Sequence, residues 1–201
     1  MSKATRSESL FEQFLQLHGL HFERVPEEAE ARPDYLVSVN EAKIALEIKE
    51  LTRDEDFTRT PFAVSSRKVG DHIRAKIGKS RKQLQVGAKK GIPSILLVYN
   101  GLDPLQTFGT EPHDFRAAMY GDWTLDFTPN TLTVHDAYHG RNASYKVDRN
   151  TSFGAVGLLH GRLGNLGVTL HENLHAVVPV PFASLPACFE IIRYEMGIWE
   201  R

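Results

Sequence analysis

Asp34, Glu47 and Lys49 are the residues of this 201-residue chain whose types and spacing best suit catalysis. Asp34 follows Pro33 at the start of one apolar-alternating segment, and Glu47 and Lys49 stand two positions apart near the end of the next. Residues of a strand alternate between its two faces, so Glu47 and Lys49 share one face while their apolar neighbours point to a core. Residues 32–50 therefore predict a hairpin that brings two carboxylates and one ammonium together.

Two carboxylates in so small a volume repel each other unless a hard cation lies between them. Mg²⁺, or Mn²⁺ in its place, suits this role because it takes oxygen ligands and keeps several of its waters. A lysine beside such an ion could hold or deprotonate an attacking water. The predicted chemistry is metal-assisted hydrolysis.

The pattern Pro33-Asp34 followed by Glu47-Ile48-Lys49 resembles the PD-(D/E)xK nuclease superfamily. The resemblance implies that Asp34 and Glu47 bind the metal, that the carbonyl of Ile48 adds a ligand, and that Lys49 assists the nucleophilic water. It also implies a helix before the hairpin that carries a glutamate of the metal site. Glu12 is the better match, because it precedes the pair Phe14-Leu15 that must face the sheet, and Glu8 is the fallback.

A basic segment follows the hairpin. Residues 67–90 hold nine Lys or Arg and one acid, a balance of +8, so the rest of the chain carries −1 − 8 = −9. Residues 72–90 are predicted to form an amphipathic helix with Ile73, Ile77, Leu84 and Ala88 on its apolar stripe. The candidates for nucleic-acid binding flank that stripe: Arg74, Lys76, Lys79, Arg81, Lys82 and Gln83. A solvated helix face is the competing explanation.

The elements that must position these residues come in a recognisable order. A helix over residues 7–18, capped by Ser7 or Ser9, precedes a strand over 20–25, the hairpin, a long loop over 52–70, the basic helix and an apolar strand over 92–100. A strand, a crossover helix and a second strand favour parallel pairing. The resemblance implies an α/β, restriction-endonuclease-like mixed sheet flanked by helices, with its core in residues 7–100 of one domain spanning 1–201.

The second half is predicted to extend that sheet. A helix over residues 112–120 is followed by strands over 123–127, 132–135 and 144–147. Residues 153–160 and 167–172 are predicted to form a hairpin, and residues 184–199 a closing helix. These elements have room for a dimer surface, so a homodimer is one expectation, but no residue of the sequence identifies it.

A competing motif is His171-Glu172-Asn173-Leu174-His175, which spells the HExxH pattern of zinc metalloproteases. On a helix its two histidines would share one face and bind Zn²⁺, with Glu195 as a third ligand. The flanks are strand-like and interrupted by prolines, which disfavours that helix. A nucleic-acid-binding module without catalysis is the other alternative to a nuclease.

Composition places the chain among ordinary globular proteins, with 41% hydrophobic and 24% charged residues. The single cysteine, Cys188, excludes an intramolecular disulfide framework and is typical of a reducing compartment. The first ten residues lack the apolar core of a signal peptide, and the longest apolar run is too short to cross a bilayer. The expectation is a cytoplasmic protein with no membrane partner. That DNA is the substrate is what the resemblance to the PD-(D/E)xK superfamily implies.

Overall fold

The computed structural model describes residues 4–26, 31–40, 42–52, 68–162 and 164–194. Within these ranges the chain forms three α-helices, nine β-strands and one short 3₁₀ turn over Phe182–Ser184. The helices are α1 Arg6–Leu17, α2 Asp71–Lys89 and α3 Pro112–Tyr120. The strands are β1 His21–Arg24, β2 Tyr35–Val39, β3 Ala42–Glu50, β4 Ser94–Tyr99, β5 Asp122–Thr128, β6 Thr133–Arg141, β7 Ala155–Arg162, β8 Asn165–Glu172 and β9 Phe189–Ile192.

Seven of the strands form one mixed sheet in the order β1-β2-β3-β4-β7-β8-β9. β1, β2 and β3 are antiparallel neighbours, whereas β3, β4 and β7 run parallel at the centre. β8 returns antiparallel to β7, and β9 adds parallel to β8. The protein is therefore α/β, with a mixed seven-stranded sheet and its parallel strands in the middle, where both faces are covered.

Helices cover the two faces of this sheet. On one face, α1 inserts Phe11, Phe14 and Leu15 among side chains of β2, β3 and β4. On the other, Ile73 and Ile77 of α2 pack with buried residues of β4 and α3. α2 also approaches the sheet closely at its far end, where a Cβ on Gly87 would lie 2.5 Å from Ser94 Oγ. The basic helix is thus fixed against the strands that carry Glu47 and Lys49.

α1 begins with a capping box. Thr5 accepts a hydrogen bond from the backbone N–H of Glu8, and the Glu8 carboxylate accepts one from the backbone N–H of Thr5. This reciprocal pair satisfies two backbone donors at the helix start. Ser7 and Ser9, predicted as caps, lie inside the helix instead.

β5 and β6 form a separate two-stranded antiparallel sheet. Gly121 introduces the hairpin at φ +105°, and a Cβ there would clash with the backbone of Gly140 and Arg141. Only glycine fits this crossing of the two strands. The hairpin contacts the rest of the protein chiefly through α3.

Most predicted elements are confirmed. The helices over 7–18, 72–90 and 112–120 and the strands over 20–25 and 92–100 all appear within a few residues of the expected bounds. The hairpin of residues 32–50 and the hairpin formed by β7 and β8 are present as well. The predicted loop over residues 52–70 falls largely on 53–67, which lie outside the described residues.

Two predictions for the second half are wrong. Residues 144–147 form a turn with a single bridge between Lys146 and Arg149, not a strand. The closing helix predicted over 184–199 is absent from its described part: Phe189–Ile192 pair with β8 as the edge strand β9. Pro186 and the alternation of Phe189 and Ile191 suit an extended chain at the open edge of β8 better than a helix.

Candidate functional site

Asp34 and β3 are joined by a side-chain hydrogen bond to the backbone. The Ile48 N–H donates to Asp34 Oδ2 at 2.7 Å, and Asp34 lies immediately before the start of β2 at Tyr35. The neighbouring residues of β3 show why this donor is available. Ala45 N–H and Leu51 N–H donate to carbonyls on the β4 side, so the alternate residue Ile48 directs its N–H and C=O toward β2.

Pro33 leaves the Ile48 carbonyl without an N–H partner in the β2–β3 ladder. Tyr35 pairs with Leu46, so the same register continued by two residues sets Pro33 opposite Ile48. A continued ladder would need an N–H from that position, and proline has none. The ladder therefore cannot satisfy the Ile48 carbonyl, while Asp34 takes over the Ile48 N–H. The pair Pro33-Asp34 leaves a backbone oxygen beside a carboxylate.

Glu47 and Lys49 lie on the face of β3 that α2 covers. Their partners on β4 are Leu96 and Val98, which belong to the core beneath α2. The Glu47 side chain is 1% exposed and that of Lys49 is 30% exposed, and Lys49 Nζ lies 2.6 Å from Glu47 Oε1. The acid is buried, and the ammonium connects it to solvent.

The electrostatics of Glu47 are unfavourable to its charge. Burial and the nearby negative charge of Asp34 raise the pKa of Glu47 to about 7, although the Lys49 ammonium and a hydrogen bond from the Asp34 backbone N–H act to lower it. Burial likewise raises the pKa of Asp34, against the Ile48 hydrogen bond and the Lys49 charge. Burial would lower the pKa of Lys49, but the charge of Glu47 and its hydrogen bond outweigh this and raise it. One ammonium does not compensate both acids.

The oxygens of Glu47, Asp34 and Ile48 are of the kind that a hard cation takes. Among the described residues, Glu47 Oε2 is buried and has no hydrogen-bond partner, and such an atom costs about 1–3 kcal/mol or more when left unsatisfied. Oxygen donors are what Mg²⁺ prefers. Glu47, Asp34 and the Ile48 carbonyl would supply them.

The two glutamates of α1 are held by residues that the sequence did not identify. Tyr35 OH donates to Glu12 Oε1 at 2.7 Å, and Arg24 binds Glu8 Oε2 at 2.8 Å and approaches Glu12 Oε1 at 3.8 Å. The Glu8 charge contributes to raising the pKa of Asp34 and of Lys49. Glu8 thus lies within electrostatic range of the candidate site. Alternation on β2 places Tyr35 toward α1, but no spacing rule pairs it with Glu12.

Arg74 is occupied by packing. All five of its N–H groups donate within the protein. The acceptors are carbonyls and carboxylates from four separate segments, at Val69, Asp71, Ala117, Asp122 and Asn142. The predicted nucleic-acid contact at Arg74 would require breaking this set, so its role here is to join α2, α3 and the β5–β6 hairpin.

The other candidates on α2 divide by exposure. Lys76 is only 3% exposed and lies on the buried face with Ser80. Gln83 is partly buried, whereas Lys79, Arg81 and Lys82 are exposed. The buried face therefore includes Lys76, Ser80 and Gly87 but not the predicted Ala88. The three exposed cations are spread across the solvent-facing side of the helix, because two residues of an α-helix that are two positions apart, such as Lys79 and Arg81, point about 160° apart around its axis.

The HExxH motif is not helical. His171 and Glu172 end strand β8, and His175 lies in the turn that follows. The His171 ring stacks on Phe115 with centroids 4.4 Å apart, its Nδ1 is hydrogen-bonded with Tyr194 OH, and burial lowers its pKa to about 4. This arrangement makes His171 a neutral core residue. Glu195, the third ligand of the alternative, is outside the described residues.

Two other features hold ionisable groups. Within the part of the chain that the structure describes, Glu111, His113 and Asp114 bring three ligand atoms within 4.8 Å of one another. Their carboxylates already accept the backbone N–H groups that open α3, and a helix N-terminus disfavours a cation. A cleft of about 410 Å³ between α2 and residues 142–150 is lined in part by Lys68 and Arg149. Neither feature includes Asp34, Glu47 or Lys49.

Comparison with known proteins gives no match among protein families, curated proteins or solved structures. Of the helices described, none is both long enough and apolar enough to span a membrane.

Proposed function

We propose that this protein is a nuclease that uses Mg²⁺ or Mn²⁺ to hydrolyse phosphodiester bonds in DNA. The observation that carries the proposal is the buried, unpartnered Glu47 Oε2 beside Asp34, with an ammonium on one side only. The resemblance of Pro33-Asp34 and Glu47-Ile48-Lys49 to the PD-(D/E)xK superfamily supports it independently.

Asp34, Glu47 and the Ile48 carbonyl would hold the metal. When bound, Mg²⁺ would neutralise the negative charge that develops on the phosphoryl oxygens and ease departure of the 3′ oxygen. Asp34 has a second task, because its hydrogen bond from the Ile48 N–H fixes the end of β2 against β3. The acid that binds the ion also sets the position of the other donors.

Lys49 would act on the attacking water as a charged donor. Its raised pKa keeps it an ammonium at neutral pH, and an ammonium donates hydrogen bonds but accepts none. Its partial exposure lets it reach a water at the mouth of the site. In this role it orients the water and stabilises the phosphoryl oxygens, while the proton leaves to solvent or to a substrate oxygen.

The exposed cations Lys79, Arg81 and Lys82 on the solvent-facing side of α2 would bind the phosphate backbone. Such contacts fix register and carry no sequence information. They make affinity fall steeply with salt, because each neutralised phosphate releases counterions.

The Lys49→Ala variant tests the proposal. We expect the wild type to cut DNA with Mg²⁺ or Mn²⁺ and not with EDTA, and the variant to lose at least about a hundredfold in rate, the order seen when one charge-stabilising donor is removed. Lys43→Ala is the matched control, because Lys43 lies on the same face of β3 but is exposed. Cleavage that persists in Lys49→Ala would contradict the mechanism.

A non-catalytic nucleic-acid-binding module is the second candidate, favoured by the 2.6 Å contact that lets Lys49 occupy one oxygen of Glu47. In that case the protein would bind DNA equally well with EDTA and would cut none under any metal.

A further inference from the structure

The β5–β6 hairpin exposes an apolar face. Trp123, Leu125 and Phe127 alternate along β5 and so share one face, and the register sets Ala137 opposite Leu125 and Val134 opposite Phe127. Trp123, Leu125, Phe127 and Val134 are each about half exposed, at 47%, 47%, 51% and 55%. A contiguous half-exposed apolar face of this kind marks a candidate interaction surface.

The apolar area of this face is close to that of a homodimer interface. An aromatic side chain carries 150–250 Å², so half of each of two aromatics, with Leu125, Val134 and the hairpin-tip residue Leu132, amounts to on the order of 500 Å². Patches of this size on a monomer mark interaction sites. A standard interface buries about 800 Å² per partner, and about 65% of a homodimer interface is apolar, which again is about 500 Å².

Charge disfavours nucleic acid as the occupant. Residues 122–141 contain three aspartates, one arginine at the last position and no lysine, a balance of −2. Asp126 and Asp136 are cross-strand partners on the opposite face from Leu125, so the hairpin repels phosphate. The apolar face itself has no charged side chain at its centre, and it can therefore meet its own copy without burying a charge.

We infer that this protein forms a two-fold homodimer in which the apolar faces of two β5–β6 hairpins, defined by Trp123, Leu125, Phe127 and Val134, pack on each other. Two such hairpins make a small four-stranded sandwich with sheets about 10 Å apart. The interface is isologous, so each side chain contributes twice. The inference does not depend on the proposed nuclease activity.

Sedimentation of the full chain tests the dimer. The wild type should sediment at about 45 kDa, twice the 22.6 kDa chain. Leu125→Asp with Phe127→Thr should raise the dimer dissociation constant at least about a hundredfold, because hot-spot losses are counted twice. Val147→Asp is the matched control, since Val147 is 84% exposed but lies outside the hairpin; it should remain dimeric.

A second measurement keeps the inference testable if the double variant does not fold. In a Trp199→Phe background, Trp123 emission should shift to shorter wavelength as concentration rises, and the milder Phe127→Thr variant should move that shift to higher concentration. A wild type that remains monomeric at about 100 µM, or a dimer unaffected by the hairpin substitutions, would overturn the inference. A partner that binds the hairpin of a monomeric chain, whether DNA or another protein, would overturn it equally.

Discussion

Replacing Glu47 by glutamine should stabilise the metal-free protein at pH 8 and abolish its response to metal. The side chain is buried beside Asp34, and its folded-state pKa of about 7 lies well above its ordinary value of 4.5. Below pH 4.5 the group is protonated in both the folded and the unfolded state and contributes nothing. As the pH rises toward 7, the unfolded state ionises first, so ionisation progressively favours unfolding.

The size of the effect follows from that gap in pKa. One pKa unit corresponds to 1.36 kcal/mol. With a pKa of 4.5 in the unfolded state and about 7 in the folded state, ionisation of Glu47 lowers the free energy of unfolding by about 3 kcal/mol at pH 8 and by less than about 1 kcal/mol at pH 5. Glutamine keeps the shape without the charge. The gain in unfolding free energy from Glu47→Gln should therefore be about 2.5 kcal/mol larger at pH 8 than at pH 5.

Urea unfolding in EDTA at the two pH values measures this difference. Glu50→Gln is the matched control, because Glu50 is on the same strand but partly exposed, and it should change stability by no more than about 0.5 kcal/mol at either pH. Added Mn²⁺ should restore the stability of the wild type at pH 8 and leave Glu47→Gln unchanged. A gain that is equal at pH 5 and pH 8 would refute the account of Glu47 as a buried, uncompensated acid.

Basic positions of α2 are expected to differ in what they contribute, stability at Arg74 and DNA affinity at Lys79 and Arg81. Arg74→Lys should lower the free energy of unfolding by about 1–3 kcal/mol, because a lysine offers three donors in place of five and cannot keep the part-buried bonds to Ala117 and Asp122 together with the exposed ones; urea unfolding beside Arg81→Ala, which should be nearly neutral, gives the contrast. Lys79→Ala combined with Arg81→Ala should leave stability unchanged and reduce the slope of log affinity against log salt by about 1.8, because each phosphate that is no longer neutralised accounts for about 0.9. An unaltered slope in a DNA-binding titration would remove these two cations from the interface.

Most of the fold that could be predicted from the sequence was predicted from local periodicity. Alternation predicted β2 and β3, a continuous apolar run predicted β4, and helical spacing predicted α1 and α2. These signals survive because the residues that form each element also supply its buried face. The nearness of Asp34 to β3 follows from them once the hairpin register is known, which is why that contact between the two halves of the motif was predictable.

The features that could not be predicted depend on contacts between segments that are distant in the sequence. β9 exists because β8 offers an open edge, whose residues pair with those 21 positions later, and no pattern within residues 184–194 distinguishes that strand from a helix as strongly as the edge does. Arg74 counts as one more charge in the sequence, but three of its five acceptors come from segments that only the fold brings together. The capping box, in contrast, was predictable, because Thr5-x-x-Glu8 is a known sequence signature of a helix start. It gives the Glu8 carboxylate a structural role, since that group accepts the Thr5 backbone N–H.

The large sheet begins and ends with short strands, β1 and β9, of four residues each. Each rim carries charged side chains, Glu23 and Arg24 at one end and Glu190 at the other. These short edge strands, flanked by charged side chains, offer few unpaired backbone groups with which a strand of another chain could form hydrogen bonds. Growth of this sheet into ribbons or fibres by edge-to-edge pairing of copies is thereby discouraged.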